Sequence, residues 1–469
     1  MWIYGNPAIH VDDQFYLLVG QRLAEGYLPY VDLWDRKPIG LFLIYAFANR
    51  FMPDPVVGYQ LLATASVVAT AGILYTMARR LTGHVAALGG ACAYLAWLLL
   101  FGGIGGQSPV FYNLPMAGAA VLTLAVVARP DASRLVRKGC LVMLLAGLAM
   151  QIKYAAVFEG IFFGLSLLWA GRRLDWPLHR LAFAASLWIA AALLPTLAVL
   201  GAYAVMGHGE AFIHANFVSI FSDTMPVAPA FIRLFWQSLA LVPFWICWRI
   251  AARHWLAGNS LEARWLFAWA SASIAGFLVF GNWFDHYILP LLMPLSLLAA
   301  LAFEVTRRRR AVMALVIGLG LASGYSRAGY DLVGLGNART MARLSAQIAP
   351  HLSTGCLYVS DDLSILYYLT RACLPTRFIF PDHLGLRRYD RALGVDQIGE
   401  MRRVLASRPT VIVLWSNPPA GNDYASRDLL LDTLKRDYTP VGSTRIGPAD
   451  SADVFIVHAL KPQLSNSPR

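Results

Sequence analysis

The sequence predicts a polytopic α-helical membrane protein with about ten transmembrane helices, followed by a C-terminal extracytoplasmic α/β domain. Three observations predict it. Of the 469 residues, 58% are hydrophobic and 14% charged, whereas a soluble domain carries about 25% charged residues. The apolar residues are gathered into runs that match the roughly 20 residues needed to cross the hydrocarbon of a bilayer. In the last third of the chain those runs give way to short β-branched and aromatic stretches alternating with helical patterns.

The spans fall near 57–78, 84–103, 113–128, 139–154, 155–171, 181–206, 231–250, 263–281, 287–305 and 311–326. The stretch 139–171 is one long run around Lys153, and its length fits two short spans better than one. The formal net charge is +12, but the basic residues flank apolar runs, as in Arg79-Arg80, Arg137-Lys138, Arg172-Arg173 and Arg307 to Arg310. That placement marks cytoplasmic loops and excludes a nucleic-acid footprint. The loops at 104–112, 207–230 and 282–286 carry almost no Lys or Arg and are expected outside, with residues 1–56 and everything after about 327. Three regions follow: an extracytoplasmic catalytic loop with interfacial helices (1–56), a transmembrane helical domain (57–326) and an extracytoplasmic α/β domain (327–469).

Within the first region, 39–52 is apolar but too short to cross and is expected in the membrane interface. So is 13–25, an amphipathic pattern with Phe15, Leu18, Val19 and Leu23 on one face. The first region has no signal peptide to carry it across the membrane, so a preceding span is expected to be missing from the chain. In the tail, 356–360, 377–380, 410–415 and 453–460 read as strands, with helices at 337–350, 362–370, 396–407 and 425–436 between them. That alternation predicts a mostly parallel sheet. No Gly-rich turn follows a strand, so no nucleotide pocket is expected. Cys92, Cys140 and Cys247 lie in apolar runs and read as buried bystanders. Cys356 and Cys373 fall at the same sheet end, where a disulfide and a pair of ordinary core cysteines are both open.

Residues 10–40 hold the richest polar cluster: Asp12, Asp13, Asp32, Asp35, Arg36 and Lys37. Glycosyl transfer needs a carboxylate to take a proton from the acceptor and cations or a metal to hold the departing phosphate. The ordinary alternative is that Asp12 or Asp13 caps a helix and that Asp32 and Asp35 brace turns.

The spacing Asp12-Asp13-x-x-Tyr16, then Gly26-x-x-Pro29-Tyr30-x-Asp32-x-Trp34-Asp35-x-Lys37-Pro38, resembles the first outer loop of GT-C-fold glycosyltransferases. These are the families of protein O-mannosyltransferases, the lipid A aminoarabinose transferase and rhizobial lipopolysaccharide core transferases. GLAMQIK (147–153), HYILPLLMPLSLLAA (286–300) and YYLTRACLPTRFIFP (367–381) extend the resemblance over most of the chain. It implies a GT-C-like fold whose first span this chain lacks. It also implies transfer of a sugar, with inversion, from a polyprenyl-phosphate carrier to a cell-envelope glycan, lipopolysaccharide or protein, in a bacterial cytoplasmic membrane. By the same resemblance, Asp12 matches the catalytic base, and Asp13 the acid beside it, near a candidate divalent metal. Lys37 matches the lysine that approaches the carrier phosphate, with Arg36 beside it. Lys153 matches a lysine near the outer end of its span, and Tyr287 a tyrosine at the lipid-phosphate site, with His286 its polar neighbour.

Lys153 also stands out on physical grounds, because an ionisable residue in an apolar stretch faces a cavity or a partner. Snorkelling to the interface and pairing with Glu159 are the alternatives for it, and interfacial anchoring the alternative for His286 and Tyr287. The sequence also departs from the family. Some relatives have an acid at the start of the fourth family span, where this chain offers Asn113, and an arginine in the loop matching 207–230, where the next is Arg233. Asp361-Asp362 reads as a helix cap rather than a nucleotide-sugar metal pair. A flippase of a lipid-linked saccharide is the rival function, and a scaffold that binds a polysaccharide is the third. No internal repeat favours a transporter.

Overall fold

The computed structural model describes residues 3–222, 227–352, 355–416, 426–447 and 454–462. Helix α1 (Val11–Ala24) is followed by α2 (Ile39–Phe51), α3 (Pro55–Ala78), α4 (His84–Leu98), α5 (Ser108–Ala128), α6 (Leu135–Met150), α7 (Val157–Arg172) and α8 (Leu178–Val205). The short α9 (Gly209–Ile213) leads to α10 (Val227–Ala240), α11 (Val242–Trp255), α12 (Leu261–Val279), α13 (Leu292–Val305) and α14 (Arg309–Leu335). A helix occupies each of the ten stretches expected to span. Among the described residues, six helices are long and apolar enough to cross a membrane by themselves: Pro55–Ala78, His84–Phe101, Ser108–Ala128, Tyr154–Arg172, Leu178–Val205 and Arg309–His351.

The remaining stretches are shorter or broken, and proline explains two of them. The span expected at 231–250 is split at Leu241 into α10 and α11, which bend by 56°. Pro243 in the first turn of α11 has no N–H to continue the ladder from α10. Likewise α13 starts only at Leu292, because Pro290 precedes it, and the stretch Asp285–Ile288 is a 3-10 turn instead. The long run around Lys153 does break in two. α6 ends at Met150, and Lys153 is extended (φ −158°, ψ 127°) ahead of the turn that opens α7.

Helix α1 is not interfacial as its pattern suggested. Asp13 to Arg22 are all buried, so every face is covered. One side crosses α2, where a Cβ on Gly20 would lie 2.6 Å from the Tyr45 carbonyl carbon. The other side takes the tail: Phe15 meets Phe380 edge-on at 5.3 Å, and Arg22 Nη2 donates to Ala372 O at 2.7 Å.

The tail comprises α15 (Ala338–Ile348), β1 (Leu357–Val359), α16 (Ile365–Thr370), α17 (Pro381–Gly385), α18 (Gln397–Ala406), β2 (Val411–Trp415), α19 (Arg427–Asp437), β3 (Tyr438–Arg445) and β4 (Val454–Leu460). Its sheet has the order β1-β2-β4-β3, and only β1 and β2 are parallel. This corrects the mostly parallel sheet expected from the alternation of elements. The stretch 377–380 is not a strand. Its backbone is committed elsewhere, since Arg377 O accepts the Trp34 N–H at 2.9 Å. Strand β3 was hidden by Pro440 and Gly442, which sit at an irregularity in its register and suit an edge strand.

Asp361 is not a helix cap either. Its Oδ2 accepts the Trp415 N–H at 2.9 Å and ties the end of β1 to β2. Cys356 and Cys373 are joined by a disulfide with Cα atoms 4.7 Å apart, closing a separation of 17 residues. Replacing both by Ser should cost the tail about 3 kcal/mol, from the chain entropy that such a loop removes. Thermal unfolding under non-reducing conditions checks this, with a lowered Tm expected for the variant.

Candidate active site

The site is built where α1 begins. His10 is extended (φ −149°, ψ 143°) and its Nδ1 accepts the Asp12 N–H at 3.2 Å. The N-cap is therefore the histidine, which frees Asp12 and Asp13, in the first turn, from capping. Against them runs the 104–107 loop. The Gly106 N–H donates to Asp13 Oδ2 at 2.7 Å, and Gln107 Nε2 donates to Asp12 Oδ2 at 2.9 Å. The approach needs glycine: a Cβ on Gly106 would strike the Tyr45 hydroxyl, and one on Gly105 the Asp13 carboxylate.

The two acids differ in chemistry. Burial raises the Asp12 carboxyl, but the electrostatic influence of Lys37, His10 and His286 and the Gln107 hydrogen bond outweigh it. They hold it well below the usual carboxylate range, so Asp12 is ionised at neutral pH. Burial dominates at Asp13, which is 0% exposed, and lifts its carboxyl to about 6 despite His10 and the Gly106 N–H. A carboxyl raised in the folded state loses stability as pH climbs from the unfolded value through the folded one. The Tm of Asp13→Asn relative to wild type should therefore rise between about pH 4 and about pH 7, by on the order of 3 kcal/mol in stability. A difference constant across that window would contradict the burial of an ionised Asp13.

The segment before α2 is a braced turn. Tyr30 takes a left-handed φ of 70°, and its hydroxyl donates to Lys37 O at 2.8 Å. Asp32 Oδ2 accepts the Leu28 N–H at 2.7 Å, and Asp35 Oδ1 accepts the Lys37 N–H at 2.6 Å. These two acids act as the turn residues of the ordinary reading. The turn sends neighbouring cations apart. Lys37 Nζ lies 5.8 Å from the centroid of Tyr16, on the Asp12 side, whereas Arg36 stacks 5.0 Å over Tyr389 of the tail.

Lys153 and Tyr287 arrive from the break between α6 and α7 and from the 3-10 turn before α13. Lys153 is 9% exposed, and its Nζ has no hydrogen-bond partner among the described residues. Nζ lies 3.9 Å from the centroid of the Tyr287 ring, and His286 is edge-on to that ring at 4.7 Å. The expected alternative of a pair with Glu159 is not formed. Glu159 Oε1 instead accepts from Trp269 Nε1 at 2.7 Å and Ser273 Oγ at 3.0 Å. A narrow cleft opens beside these groups, lined among others by Tyr112, Lys153, Glu159, Phe280 and Tyr287.

The structure thus gathers Asp12, Lys37, Lys153, His286 and Tyr287 and sends Arg36 to the tail. It adds His10, Gly106 and Gln107, which sequence reasoning missed. Asn113, where an acid was sought, is buried elsewhere and donates to Leu289 O at 3.1 Å. Gln107 fills the position facing Asp12, and the only signal for it was a Gly-Gly-Gln step in a loop poor in Lys and Arg. Oδ2 of Asp12 and Oδ2 of Asp13 accept from different N–H donors, and Asp13 Oδ1 is buried with no hydrogen-bond partner among the described residues. Among the described residues no group of three or more His, Cys, Asp or Glu is arranged to hold a metal ion.

The sequence matches no protein-family model and no curated protein. Solved structures do match. ArnT from Cupriavidus metallidurans, bound to undecaprenyl phosphate, aligns with a TM-score of 0.63 at 16% identity, over 96% of this chain and 94% of that one. The apo form of the same protein gives 0.63 at 15% identity, with the same coverage. The fold is GT-C. A GT-C fold over nearly the whole chain makes this a multi-pass membrane protein with an appended C-terminal domain, as its helices already indicated. At 15–16% identity the likeness carries the fold, and the chemistry rests on the site itself.

Proposed function

We propose that the chain is a membrane glycosyltransferase that moves a sugar from a polyprenyl-phosphate carrier to an acceptor on the outer face of a bacterial cytoplasmic membrane. The observation that carries this reading is Lys153: a buried lysine whose Nζ has no hydrogen-bond partner among the described residues, set against the Tyr287 ring beside a cleft between helices. Such a cation is costly unless an anion completes it. A lipid phosphate supplies the anion.

In this reading Lys153 and Lys37 hold the phosphate, with Tyr287 and His286 at its side. Asp12, kept ionised by its neighbours, takes the proton of an acceptor hydroxyl. The hydroxyl oxygen bonds to the anomeric carbon from the face opposite the carrier. The anomeric carbon–oxygen bond to phosphate breaks, and its electron pair leaves on the phosphate oxygen, where the two lysines stabilise it. One displacement inverts the configuration. The acceptor class is a cell-envelope glycan, lipopolysaccharide or protein. Purified protein in liposomes, supplied with a labelled polyprenyl-phosphate sugar pool and envelope acceptors, tests the reading. Label should pass from the lipid fraction to the acceptor fraction. Carrier crossing the bilayer with its sugar retained would favour a lipid-linked saccharide transporter instead.

A further inference from the structure

We propose that Gln107, with His10, is a positioning residue that fixes which oxygen of the Asp12 carboxylate is offered to the acceptor. The proposal rests on the reading of Asp12 as the base. Gln107 Nε2 carries two hydrogens, and each has an acceptor: Asp12 Oδ2 at 2.9 Å and His10 Nδ1 at 2.8 Å. His10 Nδ1 also receives the Asp12 backbone N–H at 3.2 Å. A ring nitrogen facing two N–H groups is an acceptor, so the proton of the neutral imidazole sits on Nε2. Turning the amide over would set its carbonyl oxygen against a carboxylate oxygen and a nitrogen lone pair at once. The chemistry of the neighbours therefore determines the orientation of the amide.

The clamp does more than the helix requires. His10 alone caps α1, and Gln107 reaches the site from 95 residues away. Gln107 is 1% exposed and its Oε1 has no hydrogen-bond partner among the described residues, so the side chain is buried with its acceptor unsatisfied there. A buried amide held at that cost is explained by what its nitrogen does. Oδ2 of Asp12 is tied by the clamp, and Oδ1 takes no protein hydrogen bond among the described residues. Oδ1 is thus the oxygen that receives the acceptor's proton. The single donated hydrogen bond also favours the ionised carboxylate without competing for its charge, which a second acid at this position would do.

The test follows transfer to acceptor in native membranes that hold the endogenous donor, from about pH 5 to about pH 8. It compares wild type, Asp12→Asn, Gln107→Ala and Gln107→Glu. Binding of undecaprenyl phosphate to each purified variant reports folding. Gln107→Ala should slow transfer about 10- to 100-fold at every pH, with undecaprenyl phosphate binding unchanged. Gln107→Glu should be rescued at the acid end. There the new carboxyl is protonated and donates to Oδ2 as the amide does; ionised, it has no hydrogen to donate and repels Asp12. Its rate should therefore fall towards that of Gln107→Ala as pH rises.

For Gln107→Glu a structural role predicts the same deficit at every pH, with no rescue at the acid end. That result, or wild-type transfer by Gln107→Ala, overturns the proposal while leaving Asp12 as the base. Full transfer by Asp12→Asn overturns the base reading and the clamp together. If Gln107→Ala fails to bind undecaprenyl phosphate, Gln107→Glu, which keeps the side chain's shape, decides alone.

Discussion

Replacing Asp12 by Asn is expected to lower sugar transfer by about 10³-fold, the scale of a lost general base. Asparagine keeps the shape of the side chain and can still accept the Gln107 hydrogen bond, but it cannot take a proton. Binding of undecaprenyl phosphate should survive, because the phosphate is assigned to Lys153 and Lys37 and not to the acid. The substitution is not silent for the fold, as a freely exposed carboxylate would be. Asp12 faces Lys37, His10 and His286, and removing its charge leaves the Lys37 ammonium without that carboxylate. A lowered Tm at neutral pH is therefore expected. Asp12 is held low by these partners, so its contribution is present above the unfolded carboxylate range and lost as pH falls. The gap between variant and wild type should accordingly close towards acid. Full transfer activity in the variant would remove Asp12 from the mechanism.

Replacing Lys153 by Met should change stability and function in opposite directions. The Lys153 amine is 9% exposed and has no hydrogen-bond partner among the described residues, only the Tyr287 ring against it, and a buried charge without a counter-ion destabilises the fold that holds it. Methionine of similar length should raise stability by about 1–4 kcal/mol. The same change removes a charge-assisted bond to the carrier phosphate, worth about 1.5–3 kcal/mol, so undecaprenyl phosphate should bind roughly 10- to 100-fold more weakly. Stability gained where binding is lost is the pattern of a site kept for function. A less stable variant that still binds the lipid would mark Lys153 as a structural residue.

Much of this was legible in the sequence, because membrane spans and ionisable residues within them are conspicuous. The apolar runs located each helix of the bundle, and Lys153 stood out as a charge inside one. Tertiary packing was not legible. Helix α1 has a polar side by pattern, yet the tail reaches its polar residues too: Arg22 donates to Ala372 O and Gln14 Oε1 accepts the Ile365 N–H. The strand at 438–445 carries a proline and a glycine that its edge position tolerates. Residues 377–380 have strand composition, but their backbone serves Trp34. Gln107 was hidden for a different reason. Nothing in its own neighbourhood marks a catalytic loop, and its role arises only from the fold bringing it to Asp12.

Everything proposed for the site requires that the segment from Asp12 to Lys37 face the exterior, where a carrier phosphate and an outer acceptor meet. Tyr27 lies in this segment and is 44% exposed. The decisive measurement is labelling of Tyr27→Cys, with Cys92, Cys140 and Cys247 replaced by Ala, using a membrane-impermeant thiol reagent on intact cells from which any outer barrier has been stripped. The account predicts that the thiol is modified before the cells are opened. Modification only after lysis would put the site in the cytosol and contradict the proposed reaction.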